Sequence, residues 1–257
     1  MALSKKIALF NKKNMELIIG NSYEEMSHKA ADDLLKILRP IKNPLLCTAS
    51  GDSPKGMYKE LIKQVKEKNI DISEWIFLSL DEWAGMNEND EGSCRFHLNN
   101  DLFGPLNVSG SNIIFFDGRA TNAGAECGRI EDYIKNHGGI DVAIVGLGTN
   151  GHIGMNEPGT PATSRTHVAE IDSTTQAVGQ KYFKNEQKLT HGITLGLATL
   201  MEVRNIMLLV SGSRKAEIVQ KVLEEKISEQ LPASILRRHK NFSVYLDKDA
   251  SAYLQKK

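Results

Sequence analysis

Val145-Gly-Leu-Gly-Thr-Asn-Gly-His-Ile-Gly-Met-Asn156, followed by Glu157 and a proline, joins an apolar segment directly to a glycine-rich turn in the middle of the chain. Glycine turns at strand ends let the backbone approach a small molecule, because Gly accepts positive φ and has no side chain. The turn carries Asn150, His152 and Glu157, whose amide, imidazole and carboxylate can orient one another and move protons. The stretch predicts a sheet with a small-molecule site at the carboxyl end of one strand.

Strand-like and helix-like segments alternate outward from this stretch along the whole chain. Apolar patterning predicts strands over residues 15–19, 45–48, 76–80, 113–116, 140–147, 206–210 and 242–246. Ser22 and Glu25 form a capping box for a helix that Pro40 stops, and further helices are expected over 121–136 and 213–225. Alternation with continuous apolar strands predicts one α/β domain over residues 1–257, with an open, mainly parallel sheet covered by helices on both faces. Residues 160–190 have weak periodicity and are expected to form a mobile, lid-like excursion.

Composition narrows the function classes. Lys plus Arg and Asp plus Glu each number 32, so the net charge is zero and neither nucleic acid nor a membrane is expected as a partner. The cysteines Cys47, Cys94 and Cys127 contain no CxxC pair, which predicts reduced thiols that act as small apolar fillers in a cytoplasmic protein. The spacing of His152 and Glu157 is not helical and no His/Cys cluster supports them, so no metal site is expected.

Ser50-Gly-Asp-Ser-Pro54 follows a predicted strand and opens a predicted helix, as an anion cradle does. We expect Ser53 at the N-cap and Pro54 at the first helical position. An ordinary strand-to-helix turn explains the segment equally well. Asp52 counts against phosphate binding unless its carboxylate turns away or pairs with a lysine such as Lys55.

Two further segments could complete a site. Ser211-Gly-Ser-Arg-Lys215 again stands at a strand end and a helix start, and Lys215 could supply positive charge for an anion. Asp81 follows the strand over 76–80 and could act as a general base, although acidic residues after strands are more often caps. His152 alone is as compatible with a solvated loop histidine as with a catalyst, whereas its grouping with Asn150 and Glu157 favours catalysis.

Taken together, these segments resemble the hexosamine-6-phosphate isomerase/deaminase family. The resemblance rests on motifs that occur in the same order along nearly the whole chain: Leu80-Asp-Glu-Trp83, Gly146 to Pro158, Ser164-Arg-Thr166, Gly192-Ile-Thr-Leu-Gly196, Gly212-Ser-Arg-Lys-Ala216 and Pro232-Ala-Ser234. It implies a Rossmann-like fold with the active site at the carboxyl ends of the strands. It also implies a reaction without cofactor, in which a phosphorylated amino sugar is ring-opened, isomerised and deaminated.

The resemblance also implies roles for individual residues. Asp81 would move a proton between C2 and C1, and His152 would handle the ring oxygen, with Asn150 and Glu157 as its partners. The substrate phosphate would be bound by a set of small, polar and basic residues: Ser50, Gly51, Ser53, Lys181 and Lys215.

This sequence departs from the family pattern at three positions. Asn150 stands where many relatives have aspartate, so it can orient His152 but cannot ionise. Lys181 stands for a lid arginine and offers a point charge in place of a planar fork. Asp52 stands where a small residue is usual.

Two alternatives to the deaminase remain open. A 6-phosphogluconolactonase has the same fold, but its glycine turn does not continue into a counterpart of Asn156-Glu157-Pro158. A non-catalytic sugar-phosphate sensor would retain the cradle and lose Asp81, His152 and Glu157. Within the deaminase family, Trp83 and the segment Gly92-Ser-Cys94 are closer to galactosamine-6-phosphate members than to glucosamine-6-phosphate ones. A homo-oligomer is compatible with the sequence.

Overall fold

The computed structural model describes residues 8–12 and 15–255, with side chains from residue 15 onward. The remaining residues of the predicted 1–257 domain lie outside this description. The strands are, in chain order, β1 (Ala8–Lys12), β2 (Met15–Gly20), β3 (Leu45–Thr48), β4 (Ile76–Ser79), β5 (Asp81–Trp83), β6 (Ile113–Ile114), β7 (Val142–Val145), β8 (His167–Glu170), β9 (His191–Thr194), β10 (Asn205–Val210) and β11 (Phe242–Asp247). The α-helices are α1 (Tyr23–Leu38), α2 (Asp52–Glu67), α3 (Cys94–Leu98), α4 (Ala123–Asn136), α5 (Ser173–Gly179), α6 (Leu197–Met201) and α7 (Ala216–Glu224).

One large sheet organises the molecule. Among the described residues it has eight strands in the order β1-β2-β11-β10-β7-β3-β4-β6, and every neighbouring pair is parallel except β1 with β2. The predicted open, mainly parallel sheet is therefore confirmed. No helix in the described part of the chain is long and apolar enough to cross a membrane.

Helices cover both faces of this sheet, as the continuous apolar strands predict. In β7, Val142 and Ile144 join the core formed with α1 and α2, whereas Ala143 and Val145 join the core formed with α4 and α7. Successive side chains of a strand point to opposite faces, so a strand buried on both faces must be apolar at every position. All four residues of β7 are fully buried.

Local signals placed some element boundaries correctly and others not. The backbone N–H of Glu25 donates to the Ser22 hydroxyl at 3.2 Å, which confirms Ser22 as the cap of α1. The return bond of the predicted capping box was wrong, because the Glu25 carboxylate accepts the backbone N–H of Asn21 at 2.7 Å. The predicted positions of Ser53 and Pro54 were wrong, because α2 already begins at Asp52, with Gly51 as its N-cap at φ 115°. Only glycine adopts that backbone conformation without strain. The helix therefore begins two residues before the predicted first helical residue, Pro54.

The predicted strand over 140–147 is also shorter than expected. Its ladder covers only Val142–Val145, and the chain then turns so that the Leu147 carbonyl accepts a hydrogen bond from Lys215 Nζ at 2.5 Å. An apolar run thus continues past the end of the ladder into the glycine turn.

Residues 160–190 form regular structure, which the weak periodicity did not reveal. They contain β8, α5 and the 3-10 turn Gln180–Tyr182. β8 pairs with β9, and β9 pairs with β5, in a small antiparallel sheet that was not predicted. Elements of four to seven residues are too short to establish a period in the sequence.

The order of the strands determines where a ligand can bind. From β3 the chain proceeds through α2 to β4, toward one edge of the large sheet, whereas β7 connects onward to β10 on its other side. The loops that follow β3 and β7 therefore diverge and leave a crevice between them. Such a switch point is the usual ligand site of an open α/β sheet.

Candidate functional site

A cavity of about 180 Å³ occupies this crevice. Its wall includes Asp81 after β4, the turn that carries His152 after β7, and Lys215 after β10. The Ser50–Ser53 loop before α2 and the end of α5 with Lys181 complete the wall. Chain segments separated by more than 160 residues thus meet at the carboxyl ends of adjacent strands, where the sequence placed the site.

Asp81 lies at the floor of the cavity and is 9% exposed. Burial raises the pKa of Asp81 to about 6, although the thiol of Cys94 and the charge of His152 oppose that shift. Removing a carboxylate from water penalises its charged form, so this group is a stronger base than an exposed aspartate. A general base with a pKa near neutrality is well matched to proton abstraction from carbon.

The Cys94 thiol donates a hydrogen bond to Asp81 Oδ1 at 3.4 Å. Burial raises the pKa of Cys94 well above its usual value, so the group is a neutral S–H donor. The interpretation of all three cysteines as apolar fillers is therefore wrong for Cys94. Its position is held by Glu82, whose carboxylate accepts the backbone N–H groups of Cys94 and Arg95, each at 2.9 Å.

Asn150, His152 and Glu157 form one hydrogen-bonded chain. Asn150 Oδ1 lies 2.7 Å from His152 Nδ1, and Asn150 Nδ2 donates to Glu157 Oε2 at 2.8 Å. Burial raises the pKa of Glu157, but hydrogen bonds from His152, Thr175 and Asn150 together with the histidine charge outweigh it and hold the pKa below its ordinary value. Glu157 is therefore an ionised acceptor at neutral pH.

This chain of bonds assigns the histidine tautomer. An ionised Glu157 can only accept, so the amide of Asn150 must face it with Nδ2 and face His152 with Oδ1. His152 Nδ1 must then carry the proton, and in the neutral ring Nε2 is left as the proton acceptor. The ring packs against Gly148, where an added Cβ would lie 2.3 Å from the imidazole.

The opposite end of the cavity carries the groups predicted to bind phosphate. Ser50, Gly51 and Ser53 line it at the N-terminus of α2, where backbone N–H groups and the helix dipole favour an anion. Ser53 Oγ lies 3.3 Å from Ser211 Oγ, so the two predicted cradles adjoin one another.

Two lysines converge on this end. Burial lowers the pKa of Lys215 to about 8, with a smaller contribution from the charge of Lys181. Lys181 Nζ donates to Asp52 Oδ2 at 2.6 Å. Partial burial lowers the pKa of Lys181, but Asp52 and Tyr182 together outweigh it and raise the pKa above its ordinary value. The suggested partner of Asp52 was wrong, because Lys55 pairs with Asp101 instead, at 3.3 Å.

Sequence reasoning missed one more residue of the site. Thr175 lies on α5 and places its hydroxyl 3.0 Å from His152 Nδ1. Threonines are common and α5 has only seven residues, so no local pattern distinguished this one. Among the described residues, no group of three or more His, Cys, Asp or Glu side chains could hold a metal ion.

Comparisons with known proteins show what this chain is similar to. The family model for glucosamine-6-phosphate isomerases/6-phosphogluconolactonase matches residues 21–245. The chain is 38% identical to a glucosamine-6-phosphate deaminase of Shouchella clausii over 244 residues, which cover 94% of this chain and 99% of that protein. It is 35% identical to a glucosamine-6-phosphate deaminase of Bacillus velezensis over 238 residues, 92% of this chain and 99% of that protein.

Solved structures share the fold. A monomeric glucosamine-6-phosphate deaminase matches with a TM-score of 0.89 and 34% identity, covering 92% of this chain and 98% of that one. A 6-phosphogluconolactonase from Trypanosoma brucei matches with a TM-score of 0.70 and 21% identity over 93% of this chain and 98% of that one, which shows a common fold. With a family model that spans most of its length and relatives that it covers almost end to end, the chain belongs to the family of glucosamine-6-phosphate isomerases and 6-phosphogluconolactonases.

Proposed function

We propose that this protein converts a hexosamine 6-phosphate to a ketohexose 6-phosphate and ammonia. The observation that carries the proposal is a single cavity with acid–base groups at one end and an anion cradle at the other. Asp81 and His152 line the same cavity as the Ser50–Ser53 loop, Lys181 and Lys215. A sugar bound by its phosphate at the cradle would extend its C1 and C2 ends toward the carboxylate and the imidazole.

The proposed reaction begins with ring opening at His152. The imidazole carries the anomeric hydroxyl proton to the ring oxygen, and Nε2 is the nitrogen left for this transfer because Asn150 occupies Nδ1. The C1–O5 bond breaks and the open aldehyde forms. Asn150 holds the orientation of the imidazole ring. The ionised Glu157, 3.5 Å from His152 Nδ1, favours a transient imidazolium.

Asp81 performs the second stage. Its carboxylate removes the proton from C2, and the electron pair of that C–H bond forms the C1=C2 double bond of the enolamine. The electron pair of the C1 carbonyl moves to O1, which takes a proton from water. Return of the proton to C1 gives the ketose imine at C2, to which water adds before ammonia leaves. Asp81 moves one proton between neighbouring carbons, and the elevated pKa of this buried carboxylate suits both directions of the transfer.

The opposite end of the cavity binds the substrate phosphate. The N-terminus of α2 and the two lysines supply the positive potential, with Lys215 held against the Leu147 carbonyl. We propose that residues 160–190 act as a lid over this end within one domain, because α5 and Lys181 form part of the cavity wall.

We place the reaction in the cytoplasm. Cys47, Cys94 and Cys127 are all free thiols and buried, which fits a reducing compartment. A homo-oligomer remains a proposal that sedimentation can test.

The decisive experiment is an ammonia-release assay with glucosamine 6-phosphate and galactosamine 6-phosphate, coupled to detection of the ketose phosphate. Asp81→Asn serves as the inactive control, and hydrolysis of 6-phosphogluconolactone is measured beside it. Release of ammonia from either epimer supports the proposal, and the kcat/KM ratio ranks the two. Lactone hydrolysis without ammonia release would refute the proposal and indicate a 6-phosphogluconolactonase.

A further inference from the structure

The lid segment, residues 160–190, contacts His152 directly and also forms part of the cavity wall. α5 begins after Asp172, whose carboxylate accepts the backbone N–H of Thr174 at 2.8 Å and so caps the helix. The helix turns Thr175 inward, where it is 9% exposed, while Thr174 faces solvent. Neighbouring threonines of one short helix therefore have opposite environments.

The Thr175 hydroxyl closes a ring of polar groups. Its Oγ1 lies 3.0 Å from His152 Nδ1 and accepts from Asn150 Nδ2 at 3.4 Å. It also contributes to lowering the pKa of Glu157. A hydroxyl both accepts and donates, so it can share the Nδ1 proton while it donates its own proton to the carboxylate.

This arrangement leaves no alternative for the histidine. Nδ1 faces Asn150 Oδ1 and Thr175 Oγ1, and both atoms act as acceptors toward it. A ring flipped by 180° would present a C–H group to these oxygens and lose both bonds. Asn150 and His152 are on one turn and can adjust together, whereas Thr175 is anchored independently on α5.

We propose that Thr175 is a positioning residue, which fixes the orientation of the His152 ring so that Nε2 stays available for the substrate, and thereby makes the histidine depend on the docked lid segment. This inference rests on the proposed function for its kinetic consequence but not for its structural one. Loss of the hydroxyl should lower kcat for the ring-opening substrate and leave KM nearly unchanged, because Thr175 acts through His152 and not on the phosphate.

The test uses three variants of the full-length protein. Thr175→Val keeps the shape and removes the hydroxyl, Thr175→Ser keeps the hydroxyl, and Thr174→Val is the matched control on the exposed face of α5. We expect kcat for ammonia release to fall about tenfold in Thr175→Val, as for loss of one hydrogen bond at a charged network. Thr175→Ser should recover most of the rate, and Thr174→Val should match the parent.

A second measurement does not depend on activity. Side-chain ¹⁵N NMR distinguishes the two neutral histidine tautomers, and His152→Gln identifies the signals of this ring among the seven histidines. The parent and Thr175→Ser should show one sharp set of ring signals with the Nδ1–H tautomer. Thr175→Val should keep that tautomer, which Asn150 and Glu157 fix, but its ring signals should shift and broaden because the second acceptor of Nδ1 is gone. Melting curves confirm that each variant is folded.

The possible results distinguish a failure of this proposal from a failure of the proposed function. An Nε2–H tautomer in the parent would overturn the proposal, and so would a Thr175→Val protein with parental kcat and parental ring signals. A folded Thr175→Ser variant as impaired as Thr175→Val would show that the hydroxyl is not responsible. If the parent releases no ammonia from either epimer, the proposed function fails, while the NMR measurement still decides the role of Thr175.

Discussion

Replacing Asp81 with asparagine should strongly lower turnover and stabilise the protein at the same time. Asn keeps the shape and the buried position of the side chain but cannot accept a proton from carbon. We expect kcat to fall by roughly 10²–10⁴, the usual loss for a positioned general base, with KM within a few-fold of the parent. The stability gain follows from the desolvation of the same carboxylate.

The magnitude of this stability gain follows from the protonation equilibria of Asp81 in the folded and in the unfolded protein. The pKa of Asp81 rises from 3.8 in a free side chain to about 6 in the folded protein. Between these pH values the folded state binds more protons than the unfolded state, so the parent loses stability as pH rises through this window. The full loss is about 3 kcal/mol once the pH exceeds the folded pKa, and roughly 1.4 kcal/mol of it falls between pH 5 and pH 8.

The measurement is urea unfolding of the parent and of Asp81→Asn at pH 5 and pH 8. The variant lacks the titration, so its stability advantage over the parent should be larger at pH 8 than at pH 5 by about 1.4 kcal/mol. Asp132→Asn, at an exposed position on α4, removes the same charge without burial and is the matched control. Its difference from the parent should be the same at both pH values.

Two results would refute this reasoning. Near-parental turnover in purified Asp81→Asn would remove Asp81 from the role of base. A stability difference that does not change with pH would mean that the carboxylate is already ionised at low pH in the folded state. Burial of the Asp81 carboxylate would then impose no free-energy penalty on its charged form.

Three further predictions concern the partner of this carboxylate and the phosphate end of the cavity. Cys94→Ala removes the thiol donor to the carboxylate and should move the acidic limb of kcat/KM upward by about 0.7 pH unit, whereas Cys127→Ala, on the buried face of α4, should leave the profile unchanged. Lys215→Ala should raise KM for the phosphorylated sugar with little change in kcat, and the difference from the parent should shrink above pH 8, where the lysine of the free enzyme loses its charge. Asp52→Gly frees Lys181 from its ion pair and should strengthen inhibition by inorganic phosphate several-fold at low salt, an effect that 1 M salt should suppress; tenfold weaker inhibition would instead make Asp52 part of the binding site.

Much of the fold could be predicted because its signals are local. The residues of β7 are apolar at every position, as burial on both faces requires, and Ser22 caps α1 through a bond that spans three residues. The antiparallel sheet of β5, β9 and β8 escaped prediction, because these strands are not continuously apolar as β7 is, and three or four residues are too few to establish a period.

The same contrast applies to the candidate site. Asn150, His152 and Glu157 lie within one glycine turn, so their grouping was determined by the sequence alone, as was the position of Asp81 after a strand. The burial that raises the pKa of Asp81 was not, because burial depends on what packs above the strand end.

Only the tertiary structure decided which side chains from distant segments become partners of the site residues. Cys94 reaches Asp81 across 13 residues, and Thr175 reaches His152 across 23 residues. Asp52 pairs with Lys181 across 129 residues, while Lys55, three positions away, pairs elsewhere. Local periodicity specifies which face of a helix or strand is buried, but many residues can supply a thiol, a hydroxyl or an ammonium group. Which of them reaches the site depends on how the loops beyond the strand ends pack against one another, and that packing is a property of the whole folded chain.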